Sequence, residues 1–459
     1  MFDFRSLSLW HDTLPREDTL AARAAMHGDI DVDVAIVGGG YTGLWTAHYL
    51  LEADPTVRIA IIEKSIAGFG ASGRNGGWVS SILPMGVDRM AKEHGRDAAI
   101  AMQRAMYDTV DEVGRASAAL GIDCHYAKGG QIEFARNTGQ ERRVQGKVHH
   151  ASDYGLDDIA WLDAEQARRR AAPSRLFGAK YNPHCAVIHP ARLVRGLAAS
   201  VEARGATIYE QTTAWCIEPQ RVKTDHGTIT AEFVVRATEG FTPSLQGERR
   251  TLVPIYSLMI ATEPLPHDVW EQIGLGRREA FNDGRHLIIY GQRTADGRIA
   301  FGGRGAPYHF ASAVRPAFDQ EPAVHHMLHR TLVELFPQVR EAAITHRWGG
   351  PLGIPRDWFC GVGLDRSSGL AWAGGYVGDG VATSNLAGRT LADLIHGRAS
   401  DISKLAWVGH RSRRWEPEPI RWLSIRTTLK LPSAADRYED KHGKPDRLRN
   451  WALGRLTGH

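Results

Sequence analysis

Residues 31–63 read DVDVAIVGGGYTGLWTAHYLLEADPTVRIAIIE, and this stretch decides the fold. Asp33 to Val37 is an apolar run of strand length, closed by Gly38-Gly39-Gly40. Tyr41 to Ala53 repeats Leu44, Ala47, Leu50 and Leu51 at helical spacing. Arg58 to Ile62 is a second buried strand and ends at Glu63. Strand, glycine turn, helix and strand in that order make a βαβ unit. Inside it, Gly38-x-Gly40-x-x-Gly43 follows a strand and opens a helix. Glycines there let the backbone come close to a pyrophosphate, and the helix N-terminus presents unpaired N–H groups to that anion. Glu63 comes 20 residues after Gly43, where a carboxylate accepts ribose hydroxyls. The pattern predicts dinucleotide binding; the plainer alternative is a glycine-rich turn in some other α/β fold.

Working outward, 459 residues suit two or three packed units. Apolar residues at 43% and charged residues at 24% exclude a disordered, collagenous or coiled-coil chain. No run is long and uncharged enough to span a membrane. The first residues, MFDFRSLSLWHDTLPRED, hold no apolar run of signal-peptide length, so no signal peptide is expected, and the four cysteines have no CxxC spacing. A cytoplasmic protein is expected. The pattern predicts helices over 86–120, 139–154, 163–170, 190–204, 324–336 and 382–396. Strands are expected at 131–135, 207–210, 233–237, 256–262, 286–290, 298–302 and 370–373, the run from Val253 to Ala311 suggesting a largely antiparallel sheet. Lys404 to His459 carries 13 Lys and Arg against 6 Asp and Glu. Such a tail suits an anionic surface, or simply a solvated segment folded onto the body.

The next motif narrows the dinucleotide. Gly68-Phe69-Gly70-Ala71-Ser72-Gly73-Arg74-Asn75-Gly76-Gly77 directly follows the acid, and five glycines in ten residues suit backbone lying flat against a ligand. GGGYTGL followed by GFGASGRNGG resembles the flavin-dependent amine oxidases of the D-amino-acid-oxidase-like superfamily, most nearly its gamma-glutamylputrescine oxidase branch. The resemblance continues in order through Ile122-Asp123-Cys124-x-Tyr126, Ile188-His189-Pro190, Val234 to Gly240, Thr294 to Arg298, Gly302-Gly303, Gly374 to Val381 and Leu386 to Arg389, covering about residues 31 to 398.

The resemblance implies an α/β fold: a Rossmann-like FAD-binding domain from 28–110, 186–248 and 345–403, and an interrupted substrate domain, 111–185 and 249–344, on a mostly antiparallel sheet. Residues 404–459 would form a basic helical tail covering the substrate entrance. It implies FAD contacts at Gly38, Gly40, Tyr41, Thr42, Gly43, Glu63, Lys64, Gly70, Ala71, Ser72, Arg74, Asn75, Gly76, Gly77, Ala214, Thr238, Gly375, Gly378, Asp379, Gly380 and Val381. The glycine-rich turn before the last helix would aim its N–H groups at the negative charge of the reduced flavin. Asp379 stands where relatives often have His, and an acid there suggests a cap or a solvent-facing side chain, the alternative being one that faces substrate and binds a cationic amine. No His lies in 71–77 and Cys360 comes late, so non-covalent FAD is expected.

Flavin amine oxidation needs an aromatic wall and a positioning charge more than a strong base. Trp78, His286, Tyr290, Arg293, Arg304 and Trp348 are the candidates. His286 and Tyr290 would share one strand face, and Arg293 and Arg304 would hold a carboxylate. The plainer alternative puts the aromatics in the core and the arginines on the surface. No Lys for oxygen activation lies between Arg285 and Tyr290. His325-His326-x-x-His329 lacks a completing acid or Cys, so no metal is expected. The expected reaction is oxidation of an amine or amino-acid C–N bond with O2 as acceptor. A quinone- or carrier-linked dehydrogenase and a non-catalytic flavin sensor are the rivals. Nucleic acid is not an expected partner; peripheral membrane contact through the basic tail is the open one.

Overall fold

The computed structural model describes residues 3–429 and 431–442; the last part of the tail expected over 404–459 lies outside the described residues. The opening strand, Ile30–Val37, runs parallel to Ile59–Ile62 on one side and to Gly227–Arg236 on the other. The sheet continues through Leu370–Gly374 to Gly361–Asp365 at one edge and Thr207–Tyr209 at the other, with a hairpin of Ala214–Glu218 and Arg221–Thr224 attached. Strands buried on both faces explain the unbroken Val/Ile/Ala runs read from the sequence.

Helices Tyr41–Ala53 and Gly380–His396 pack against each other over this sheet. Gly388 makes that approach feasible: a side-chain carbon there would sit 2.7 Å from Trp45 Cβ. Leu44, Leu50, Leu386 and Leu391 are fully buried between the layers, each contributing about 1.5–3 kcal/mol. The helix expected over 86–120 is two, Val87–His94 and Arg96–Ala119, broken at Gly95, whose φ is +93°. The longer one packs into the nucleotide-side core through Met102, Met106, Val110 and Val113 and, through Tyr107, against Ala151 and Leu156; it runs unbroken through the boundary expected at 110.

The second sheet has eight strands, in the order Ile344–Ile354, Val253–Thr262, Ile299–Gly303, Ile289–Arg293, Ala280–Asp283, Gln131–Ala135, Gly178–Asn182 and Ala160–Asp163. All neighbours are antiparallel except Ala280–Asp283 with Gln131–Ala135. Ile344–Ile354 pairs along its length with Val253–Thr262 in this sheet, across the boundary expected at 345. Helix Pro322–Leu335 backs it with Leu328, Leu332 and Leu335. The His325-His326-x-x-His329 group lies on that helix; His325 is buried, with a ring nitrogen 3.4 Å from the Trp348 carbonyl, a packing role.

The described tail folds back in helices Ile420–Thr428 and Leu431–His442. The Trp415 indole donates to the Ile354 carbonyl at 2.8 Å. At the far end, Asp436 accepts the amides of His286 and Leu287 at 2.7 and 2.9 Å. No described helix is long and apolar enough to cross a membrane.

Candidate active site

The glycine fingerprint is a cradle that side chains would fill. A Cβ on Gly43 would lie 2.2 Å from the Gly38 carbonyl oxygen, and one on Gly38, at φ +118°, 2.4 Å from the Ala237 carbonyl oxygen. The Tyr41 amide donates to Ser72 Oγ at 2.9 Å, joining the helix start to the second glycine loop. Thr42 Oγ1 lies 2.9 Å from the Tyr376 hydroxyl, joining it to the closing turn. Glu63 accepts the amides of Gly39 at 2.9 Å and Ser65 at 2.8 Å. Burial pushes its carboxyl up to about 7 against those bonds. Lys64 is exposed. Thr238 follows Ala237 beside Gly38, its hydroxyl 2.8 Å from that of Thr242. Ala214 packs with Val37 and Ile62 beneath the strand ends.

The second loop closes over the cradle. Gly70 precedes a single helical turn, Ala71–Arg74, which Asn75 ties down: its Nδ2 donates to the carbonyls of Ala71 and Ser72, and its Oδ1 accepts the Gly77 amide at 2.7 Å. Arg74 is buried, paired to Asp319 at 2.7 Å and stacked over Phe69 at 5.0 Å. Gly76 touches the Tyr290 ring, and a Cβ on Gly77 would lie 2.0 Å from Gln292 Nε2. Gln292 donates to the Gly76 and Ile188 carbonyls at 2.7 and 3.2 Å. Sequence reasoning missed Gln292, although its place two residues after Tyr290 puts both on one strand face. Arg74 Nε and Gln292 Oε1 are buried with no protein partner. Cβ-excluding backbone with orphaned polar atoms at its edge fits a bound dinucleotide.

The closing turn differs from expectation. The Gly375 and Tyr376 amides are taken by Glu239, at 2.8 and 3.3 Å, rather than presented to a ligand. Burial raises Glu239 to about 7. Glu239 was also missed as a functional group; it sits at φ +40° inside the quoted Ala237-Thr238-Glu239-Gly240 run. What remains for an anion is the start of helix Gly380–His396, with Gly378, Gly380 and Val381 at its tip. Asp379 occupies the cap position, but its side chain makes no cap bond. It faces inward toward Arg304 and Ser80 instead; burial raises its carboxyl to about 7, and those two neighbours pull it back. The side chain therefore does not cap the helix, and of the two readings the one that turns it toward the other sheet fits its neighbours Ser80 and Arg304.

A family model for FAD dependent oxidoreductases matches residues 33–394. The chain belongs to the FAD-dependent oxidoreductase family. Its cofactor is FAD, and the cradle above is where these residues would hold it. The chain is 30% identical over 394 residues to gamma-glutamylputrescine oxidoreductase of Escherichia coli, covering 84% of this chain and 88% of the relative. It is 31% identical over 392 residues to a probable oxidoreductase OrdL of Rhizobium meliloti, covering 83% and 86%. Among solved structures, glycine oxidase from Geobacillus kaustophilus superposes with TM-score 0.69 at 22% identity, over 83% of this chain and 99% of that one. L-proline dehydrogenase from P. horikoshii superposes with TM-score 0.67 at 19% identity, over 83% and 96%. These two share the fold.

In this FAD-dependent oxidoreductase the substrate sheet meets the cradle at Tyr290. Its ring lies against Gly76, its hydroxyl is 2.8 Å from Ser257 Oγ, and Trp78 meets it edge-on at 6.1 Å. Arg304 crosses from the sheet to the closing turn, donating to the Val377 carbonyl at 2.8 Å with its guanidinium 5.4 Å from the Trp358 ring. Burial lowers its pKa, opposed by the nearby Asp379 charge. Trp78, Tyr290, Arg304 and Asp379 thus lie together at this junction, the candidate substrate chamber.

Three candidates stand elsewhere. His286 precedes the strand, which begins at Ile289, and bonds Glu439 of the tail at 2.9 Å; the expected strand over 286–290 starts too early. Arg293 is one position out of phase with Tyr290 and Gln292, so it leaves by the opposite face and stacks over Trp270 at 4.2 Å. Trp348 is 1% exposed, donates to the Arg74 carbonyl at 2.8 Å and packs edge-on to Trp10; it supports the flavin loop from behind.

Proposed function

We propose that this oxidoreductase oxidises the C–N bond of a small amine that also carries a carboxylate, an amino acid or a gamma-glutamylated polyamine. The observation that carries this is the pairing of Arg304 with Asp379 across the chamber. The two charges influence each other without forming an ion pair, and Arg304 spends only one donor on protein. A fixed cation and a fixed anion, each with unused hydrogen-bonding capacity, complement a molecule bearing both an ammonium and a carboxylate. The names of the gamma-glutamylputrescine oxidoreductase and glycine oxidase relatives support the same class.

Bound FAD supplies a two-electron acceptor for a hydride from the carbon bearing nitrogen. The chain's own groups do the rest. Arg304 holds the carboxylate, and ionised Asp379 holds the ammonium and takes a proton from it, leaving the neutral amine that a hydride donor must be. Tyr290 and Trp78 wall the carbon in place and exclude water. The released imine hydrolyses to a carbonyl compound and an amine. Dioxygen is the terminal acceptor, giving hydrogen peroxide. We infer that FAD is held without a covalent bond, since residues 71–77 contain no His.

The test is an anaerobic screen of amino acids and amines for loss of yellow colour, followed by oxygen-electrode and peroxide assays on each positive. Bleaching with oxygen uptake and equimolar peroxide is expected. Bleaching relieved only by a quinone or protein carrier would make the enzyme a dehydrogenase. Absence of bleaching by every amine would leave a flavin-binding sensor.

A further inference from the structure

The outer face of helix Ile420–Thr428 takes no part in the chamber. Its inward side chains Arg421 and Ile425 are buried, and Ile425 packs with Val377 and Trp415 beside the closing turn. Outward, Ile420 and Leu423 are 58% and 55% exposed, almost one helical turn apart. Phe310, 55% exposed, stands next to them with its ring 6.5 Å from that of Trp422. Seven large apolar side chains are exposed among the described residues, and three of them meet here. A concentration of this kind marks a contact surface rather than ordinary surface scatter.

The surrounding charge has one sign. Arg414 leads into the helix, Arg426 lies in its last turn over the Trp422 ring at 5.3 Å, and Arg249 touches it by accepting from Arg421 at its carbonyl. All three arginines are exposed, and among the described residues none has an acid at ion-pair distance. The local acids are already used: Glu416 pairs with Arg356, and Glu418 with Arg421. The sequence that follows, residues 443–459, adds four Lys and Arg against one Asp.

We propose that this face docks on the anionic surface of a lipid bilayer. Ile420, Leu423 and Phe310 enter the boundary between headgroups and acyl chains, and the arginines meet lipid phosphates. A protein partner would need roughly 800 Å² of complementary surface on each side, and two side-chain tips on one short helix with Phe310 beside them do not provide it. Two of the three exposed side chains, Ile420 and Leu423, are aliphatic and give nucleobases nothing to stack on.

The full-length, FAD-loaded protein would be sedimented with vesicles of equal parts phosphatidylglycerol and phosphatidylcholine, and with phosphatidylcholine alone. Binding to the first and not the second is expected, falling steeply as salt rises. The double variant Phe310→Ser, Leu423→Gln changes only exposed side chains and keeps its flavin content. It should partition about tenfold more weakly, and Arg426→Gln should weaken binding less. No sedimentation with the anionic vesicles overturns the proposal. So does equal binding by the double variant, or equally tight binding of the wild type to a nucleic-acid duplex.

Discussion

The cofactor cradle and the substrate chamber lie side by side, yet they are built by different means. The cradle is backbone. Its shape follows from positions where any side chain collides, as at Gly38, Gly43 and Gly77, and nearly all of it comes from residues 38–77. The chamber is side chains. Trp78, Tyr290, Arg304 and Asp379 arrive from four separate segments and meet only because two sheets abut. One region tolerates almost no added side chain and uses its polar groups to hold backbone in place; the other needs particular charges but makes small demands on the chain's path.

The difference can be broken most sharply at Gly43. Gly43→Val puts a side chain where even a Cβ lies 2.2 Å from a carbonyl oxygen. The expected product is folded but colourless protein, checked by flavin absorbance after gel filtration. In the chamber, Arg304→Gln should leave flavin content intact and lower kcat/KM for a carboxylate-bearing amine about ten- to a hundredfold, chiefly through KM. His286→Gln, outside the chamber, should leave kcat/KM unchanged in the same assay.

Asp379 adds a pH dependence to that contrast. Its carboxyl is raised to about 7 by burial, so kcat/KM should climb as pH rises through that value and the group ionises. Asp379→Asn should flatten that limb of the profile. Glu239 tests the joint between the regions. Its folded pKa of about 7 exceeds the ordinary 4.5, so the unfolded chain holds fewer protons between those values. Stability of the cofactor-free protein therefore falls as pH rises from about 4.5 to about 7. Glu239→Gln removes that slope in thermal melts, and at pH 5 costs about 1–3 kcal/mol by disturbing the bonds to Gly375 and Tyr376. The smallest effect belongs to the tail: Asp436→Ala loses two amide bonds on a partly exposed latch, about 1–2 kcal/mol in denaturant titrations, with kcat preserved.

The same difference explains what could be read from the chain. The βαβ unit, its glycines and Glu63 are local, and their spacing carries the geometry. Local spacing says nothing about which strand faces which. Tyr290 and Arg304 could be named as chemical types, but Arg293 is the same type three residues after Tyr290, and it is the strand's continuing through to Arg293 that puts it on the opposite face. His286 was drawn into the strand because an apolar run, His-Leu-Ile-Ile-Tyr, does not show where pairing begins; the tail's Asp436 takes the first two amides. Gln292 and Glu239 act by tying backbone amides or carbonyls from distant segments, a role with no periodic signature. Asp379 reads as a cap from its position alone, and only the approach of Arg304 from the other sheet turns it inward.

The most direct test is an anaerobic comparison of flavin bleaching by an amino acid, or a gamma-glutamylated amine, with bleaching by the same molecule lacking its carboxylate. Rapid loss of colour with the carboxylate-bearing member, and slow loss with its partner, is the predicted result. Equal rates for the two, or a yellow protein that neither bleaches, would contradict a chamber built on Arg304 and Asp379.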